Sequence, residues 1–148
     1  MTQKQIYLIG SLRNPAIPEL ANRLRAAGYS VFDDWHYVGP NADDEWKAHE
    51  QNRGRTFKEA IAGAAAENTF AFDHRHINAS SIGVLVHPAG KSAHLELGYM
   101  AGKGKLTVIY FPEEPDKERW DVMVKFAHYV AVGEDDLLAF LAREARTT

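Results

Sequence analysis

The sequence predicts a single α/β domain: a doubly wound, mainly parallel sheet of about five strands covered by helices, of the flavodoxin or Rossmann type. Three observations predict it. Short apolar, β-rich runs alternate along the chain with segments of helical periodicity. Most of the runs end at glycine, proline or paired acids, the residues that close strands. The length of 148 residues, with 45% hydrophobic and 25% charged, suits one ordinary hydrophobic core, so the domain is expected to span residues 1–148.

The first run, Ile6-Tyr7-Leu8-Ile9-Gly10, follows a polar start and predicts a buried strand. Pro15 and Pro18 then fall in the first turn of a helix whose apolar positions Ile17, Leu20, Ala21 and Leu24 lie on one face, and Gly28 stops it. Tyr29 to Phe32 predicts a second strand ending at Asp33 and Asp34. From Trp35 to Arg55 periodicity is lost, which predicts a binding loop or lid with room for a short helix from Asp43 to His49. Thr56 to about Ile77 is alanine-rich, with Phe57, Ile61 and Ala65 on one face, and predicts a long helix with a weak point near Asn68. Ile82 to Val86 predicts the third strand. Ser92 is the expected N-cap of a helix carrying Leu95, Tyr99 and Met100 and closed by Gly102 and Gly104. Leu106 to Phe111 predicts the fourth strand, a charged loop runs from Pro112 to Lys117, Phe126 to Val132 predicts the fifth strand, and an amphipathic helix from Glu134 to Arg146 closes the chain.

Composition excludes several functions. With 17 basic against 20 acidic residues the net charge is -3, which lacks the basic footprint of a nucleic-acid binder. The absence of cysteine excludes a disulfide framework, a thiol nucleophile and a cysteine zinc site, and makes the cytoplasm the expected compartment. No apolar run approaches the length of a membrane span, and the first five residues lack the apolar core of a signal peptide, so no membrane partner is expected. His74 and His76 are two residues apart on a helix and share no face, so they predict surface or supporting histidines and no metal site.

In an open parallel sheet, ligands bind beyond the carboxyl ends of the strands. That places Gly10, Arg13, Asp34, Trp35 and the stretch from His87 to Glu96 at the expected site. Gly90, Lys91 and Ser92 form a turn feeding a helix start, where free amides, a cation and a hydroxyl suit a phosphate. It is not a P-loop, because the upstream glycine is missing. Trp35, Tyr37 and Trp46 have two readings, an aromatic wall for a base or a cover for the core; Asp33 and Asp34 are ribose ligands or a turn.

Tyr7 in its Ile-Tyr-Leu strand, the proline-flanked turn after strand three, and Glu96-Leu97-Gly98-Tyr99 before Gly102-Lys103-Gly104-Lys105 together resemble the nucleoside 2-deoxyribosyltransferase family, over about Ile6 to Tyr110 with gaps. The resemblance extends to related hydrolases that cleave the N-glycosidic bond of nucleoside monophosphates. It implies the doubly wound fold, no metal and no cofactor, a small-molecule nucleoside or nucleotide as partner, and a homo-oligomer. It also implies roles: Glu96 as nucleophile on the anomeric carbon, Tyr7 as the hydroxyl that orients it, and Asp73 as the acid that protonates the leaving base. Family transferases carry an acid six residues before the nucleophile, where this sequence has Gly90, and this departure, with Ser92 nearby, turns the expectation toward a phosphorylated substrate. Two other classes stay open: a nucleotide-binding or signalling module without turnover, and a TIR-like NAD glycohydrolase.

Overall fold

The computed structural model describes residues 4–145. Five strands, β1 (Gln5–Ile9), β2 (Ser30–Phe32), β3 (Ile82–Val86), β4 (Leu106–Phe111) and β5 (Tyr129–Val132), form one sheet in the order β2-β1-β3-β4-β5. Every neighbouring pair is parallel, with Tyr7 level with Phe32 on one side and Gly83 on the other. Leu8, Ile9, Ile82, Val84 and Leu85 are fully covered, as expected of strands packed on both faces. The strand order reverses at β1 and β3, which makes the space beyond and above these two strands the natural binding position.

The helices are α1 (Ala16–Ala26), α2 (Ala42–Asn52), α3 (Phe57–Ile61), α4 (Ala64–Ala79), α5 (Lys91–Gly102) and α6 (Glu134–Glu144). Helices α1 and α6 are joined by a bidentate pair, Arg23 to Glu134 at 2.8 Å, while α4 and α5 meet through Asn78 and Tyr99. The α5 helix approaches the sheet closely because Gly83 has no side chain: a Cβ there would lie 2.6 Å from the sulfur of the fully buried Met100. Among the described residues, no helix is long and apolar enough to cross a membrane.

Several local expectations are corrected. Residues 35–55 hold a five-residue 3-10 turn (Asp34–Val38) and the full helix α2, longer than the short helix expected from Asp43 to His49. The helix expected from Thr56 to Ile77 is two helices, broken at Ala62 and Gly63 rather than near Asn68. Thr56 and Glu59 form a capping box that starts α3, and Gly63 starts α4. The face that carries Phe57 and Ile61 is exposed, and in α3 it is Ala60 that is buried. Gly90, not Ser92, is the N-cap of α5; Ser92 is its second residue. Gly10 and Tyr29 flank their strands, and β5 begins at Tyr129 because Val122–Phe126 form a 3-10 turn. The predicted end of the last helix at Arg146 lies outside the described residues.

Candidate active site

Tyr7, Asp73 and Glu96 meet above β1. Tyr7, in the middle of that strand, is buried, and its hydroxyl hydrogen-bonds the Glu96 carboxyl from the second turn of α5. Asp73, on α4, is close enough for its charge to bear on both. The structure therefore brings together Tyr7, Asp73 and Glu96, which lie far apart in sequence on one strand and two helices.

Burial sets the electrostatics. It pushes the Glu96 carboxyl up to about 8; the Asp73 charge adds to this, and the Tyr7 hydrogen bond pulls the other way. Burial alone raises Asp73 to about 6. Tyr7 is raised far above its ordinary range, by burial first and then by the two carboxyls, so its hydroxyl stays protonated and acts as a donor. Between about pH 6 and 8 the two carboxyls therefore hold one proton between them. Paired acids that divide their protonation states suit one nucleophilic and one proton-donating role.

Asp73 owes its position to the three stripes of its helix. Residues four apart in a helix lie on one face, and adjacent residues are turned by about 100°. Phe72 and His76 face β2, where the His76 ring stacks on Phe32 at 4.0 Å and Phe32 stacks on Tyr7 at 5.5 Å. Asp73 and Ile77 form the next stripe, and Ile77 is buried. His74 and Asn78 face α5 and reach the Tyr99 hydroxyl. His74 and His76 thus belong to different contacts, in keeping with their spacing.

The other expected residues fall in two groups. Ser11, Arg13, Asn14, Pro88, Ala89, Gly90 and Arg119 line a cleft of about 240 Å³ beyond the ends of β1 and β3. Gly10 leads into it from β1, and Lys91 and Ser92 are exposed in the first turn of α5. Arg13 also pairs with Asp44 at 2.8 Å, which ties α2 to the loop after β1. Trp35, in contrast, takes its core reading: it is 9% exposed and its indole donates to the Leu8 carbonyl at 2.8 Å. Asp33 is a buried partner of Arg25 at 2.7 Å, Asp34 is exposed, and Tyr37 is 81% exposed.

Sequence reasoning misses Arg119, and it marks the stretches that hold Asn14 and His87 without finding what is particular to these two residues. Arg119 arrives on the connection between β4 and β5, and nothing local marks it as part of the site. Asn14 is buried, and its Nδ2 has no hydrogen-bond partner among the described residues although it is a cleft residue. His87 stacks flat on Phe111 at 4.2 Å, and its Nδ1 is also unpartnered. Burial, with His94 and Arg119 nearby, lowers His87 to about 4 and keeps the ring neutral near pH 7. Buried donors without partners are costly, and a ligand that accepts their hydrogen bonds relieves the cost. A second hollow, about 430 Å³, opens at the opposite end near Lys4, Ser81 and Lys105, and no carboxyl side chain lines it.

No family model and no curated protein matches the sequence. Solved structures do match in fold. A 2-deoxyribosyltransferase from Bacillus psychrosaccharolyticus is similar with a TM-score of 0.59 and 18% identity, over 90% of this chain and 89% of that one. A CMP N-glycosidase from Clostridium botulinum is similar with a TM-score of 0.54 and 14% identity, over 94% and 99% of the two chains. The fold is shared with nucleoside 2-deoxyribosyltransferases. A pilus assembly-related protein from Burkholderia pseudomallei also has it, with a TM-score of 0.54 and 17% identity over 97% and 90%, so the fold alone does not carry a function. The features of this chain that bear on function are the carboxyl pair and the cleft.

Proposed function

We propose that this protein breaks the N-glycosidic bond of a nucleoside 5'-monophosphate or nucleoside, with Glu96 as nucleophile. The observation that carries the reading is the Tyr7, Asp73 and Glu96 cluster, two raised carboxyls and a buried hydroxyl at the point where the strand order reverses. The pair enters with one proton. Burial leaves that proton mainly on Glu96, and the productive form is the minor one in which it has passed to Asp73 and Tyr7 donates to the ionised Glu96. A Glu96 oxygen attacks C1' as the bond to the base breaks, and the Asp73 proton passes to the departing nitrogen. The positive charge that develops on the sugar favours the ionised form of Glu96 at that moment. Water then attacks C1', Asp73 takes its proton, and the ester to Glu96 breaks; a second base in place of water makes the reaction a transfer.

The 5'-phosphate belongs in the cleft. Arg13, Arg119, the Asn14 amide and the start of α5 at Gly90, Lys91 and Ser92 are all donors, and Gly90 removes the carboxylate that would repel an anion. The CMP N-glycosidase supports a nucleotide substrate by analogy of fold. A homo-oligomer is part of the same proposal, supported by the exposed Phe57, Ile61 and Phe70 along α3 and α4, and sedimentation measures it.

The test is incubation with deoxynucleosides, nucleoside monophosphates and NAD, with free base followed by chromatography and Glu96→Ala as control. Base release by the wild type, reduced by several orders of magnitude in a folded Glu96→Ala, is expected. Release from NAD alone favours the TIR-like reading. Binding of a monophosphate with no release from any substrate favours a binding module and overturns the enzymatic one.

A further inference from the structure

We propose that Tyr99 is a positioning residue: its hydroxyl fastens α4 to α5 and so holds Asp73 in place beside Glu96. The inference rests on the roles given to Asp73 and Glu96 above.

Helix α4 carries Asp73, yet apolar packing holds it weakly. Of its residues only Ile77 is fully packed away, while Phe70 is 67% exposed. Polar contacts supply what burial does not. The Tyr99 hydroxyl donates to Asn78 Oδ1 at 2.8 Å and lies 3.1 Å from His74 Nε2, which in turn is 3.2 Å from Asn78 Nδ2. At the end of α4, Lys105 Nζ donates to the Asn78 carbonyl at 3.0 Å, a favourable place for a cation. Two members of this cluster make further contacts: the His74 ring stacks on Phe70, and Lys103 lies over the Tyr99 ring.

The geometry makes the clamp bear on the site. Tyr99 is three residues, just under one turn, beyond Glu96 on α5, and His74 is the residue after Asp73 on α4. On the opposite side of α4, Phe72 and His76 rest on Phe32, which rests on Tyr7. Asp73 therefore lies between two supports, an aromatic one from β2 and a polar one from α5. Releasing the polar support leaves the helix free to turn about the aromatic one, which moves Asp73 relative to Glu96 without touching either.

Tyr99→Phe removes the hydroxyl and keeps the ring; Asn78→Ala removes the partner and serves as the second variant. Two readouts separate a positioning role from a merely structural one. Amide hydrogen exchange is expected to quicken about tenfold in α4, the loss of roughly one hydrogen bond, with the sheet unchanged. Turnover is expected to fall about tenfold, at unchanged KM, on a substrate whose base leaves only when protonated, and to stay the same on an N7-methylated purine nucleotide whose base leaves unaided. In an Asp73→Asn background, Tyr99→Phe should cost nothing further. With an active wild type, unchanged exchange in α4, or equal slowing of both substrates, overturns the clamp alone. A wild type that releases no base overturns the reading of the site, and the exchange data then still decide whether Tyr99 holds α4.

Discussion

Replacing Glu96 by glutamine keeps the shape and the acceptor for Tyr7 but removes the charge, so stability against pH reports how strongly the fold opposes that charge. Burial, aided by Asp73, lifts this carboxyl from 4.5 to about 8. The sign follows from proton linkage. Between these values the unfolded chain has released a proton that the folded chain keeps, so wild-type stability falls as pH rises through the window. Below pH 4.5 both states are protonated and the contribution is whole; above about 8 it is lost. At about 1.4 kcal/mol per pH unit the window corresponds to about 5 kcal/mol in a dry site. Glu96 is partly exposed, and water at its open side reduces the effect to about 2 kcal/mol. Urea unfolding of both proteins at pH 5, 7 and 9 measures it, with the m-value as the check that the same transition is followed. Glu96→Gln should be within error of wild type near pH 5 and more stable by about 2 kcal/mol at pH 9. Parallel curves across the range would refute the reasoning, because they would make Glu96 an ordinary solvated side chain with no stored tendency to hold a proton.

Other perturbations follow from the same contacts. Tyr7→Phe removes the hydrogen bond that lowers Glu96, so Glu96 should ionise at still higher pH and base release should fall, while stability changes by about 1 kcal/mol or less; carboxyl NMR titration and a pH-rate profile check this. The wild-type profile itself should be bell-shaped, with limbs near pH 6 and 8, because the pair needs one proton. Gly83→Ala drives a methyl into buried Met100 and should cost about 1–3 kcal/mol in urea unfolding, with less than additive loss when combined with Met100→Ala. Arg119→Ala should reduce the preference for a monophosphate over its nucleoside by about tenfold in calorimetry and leave nucleoside binding unchanged.

Much of the molecule is legible in local pattern. Strand runs bounded by turn residues and helices with one apolar face are short-range signals, and they are enough for the five strands, for α1, α5 and α6, and for the parallel, doubly wound class. That Tyr7, Asp73 and Glu96 belong together is an expectation of resemblance and not of local pattern, since they stand far apart along the chain. What local pattern does not carry is anything decided by a distant partner. The break falls within a run of alanines that by propensity alone continues a helix, and Gly63, the poorest helix former there, takes extended backbone and caps the start of α4. Trp35 belongs to the core because the Leu8 carbonyl, 27 residues away, is there to accept its N–H. Arg119 and Asn14 become neighbours only when the β4–β5 connection folds over the ends of β1 and β3. The raised carboxyls are a tertiary property as well: a glutamate on a helix and an aspartate on another are ordinary acids until packing takes both out of water and sets them beside one another.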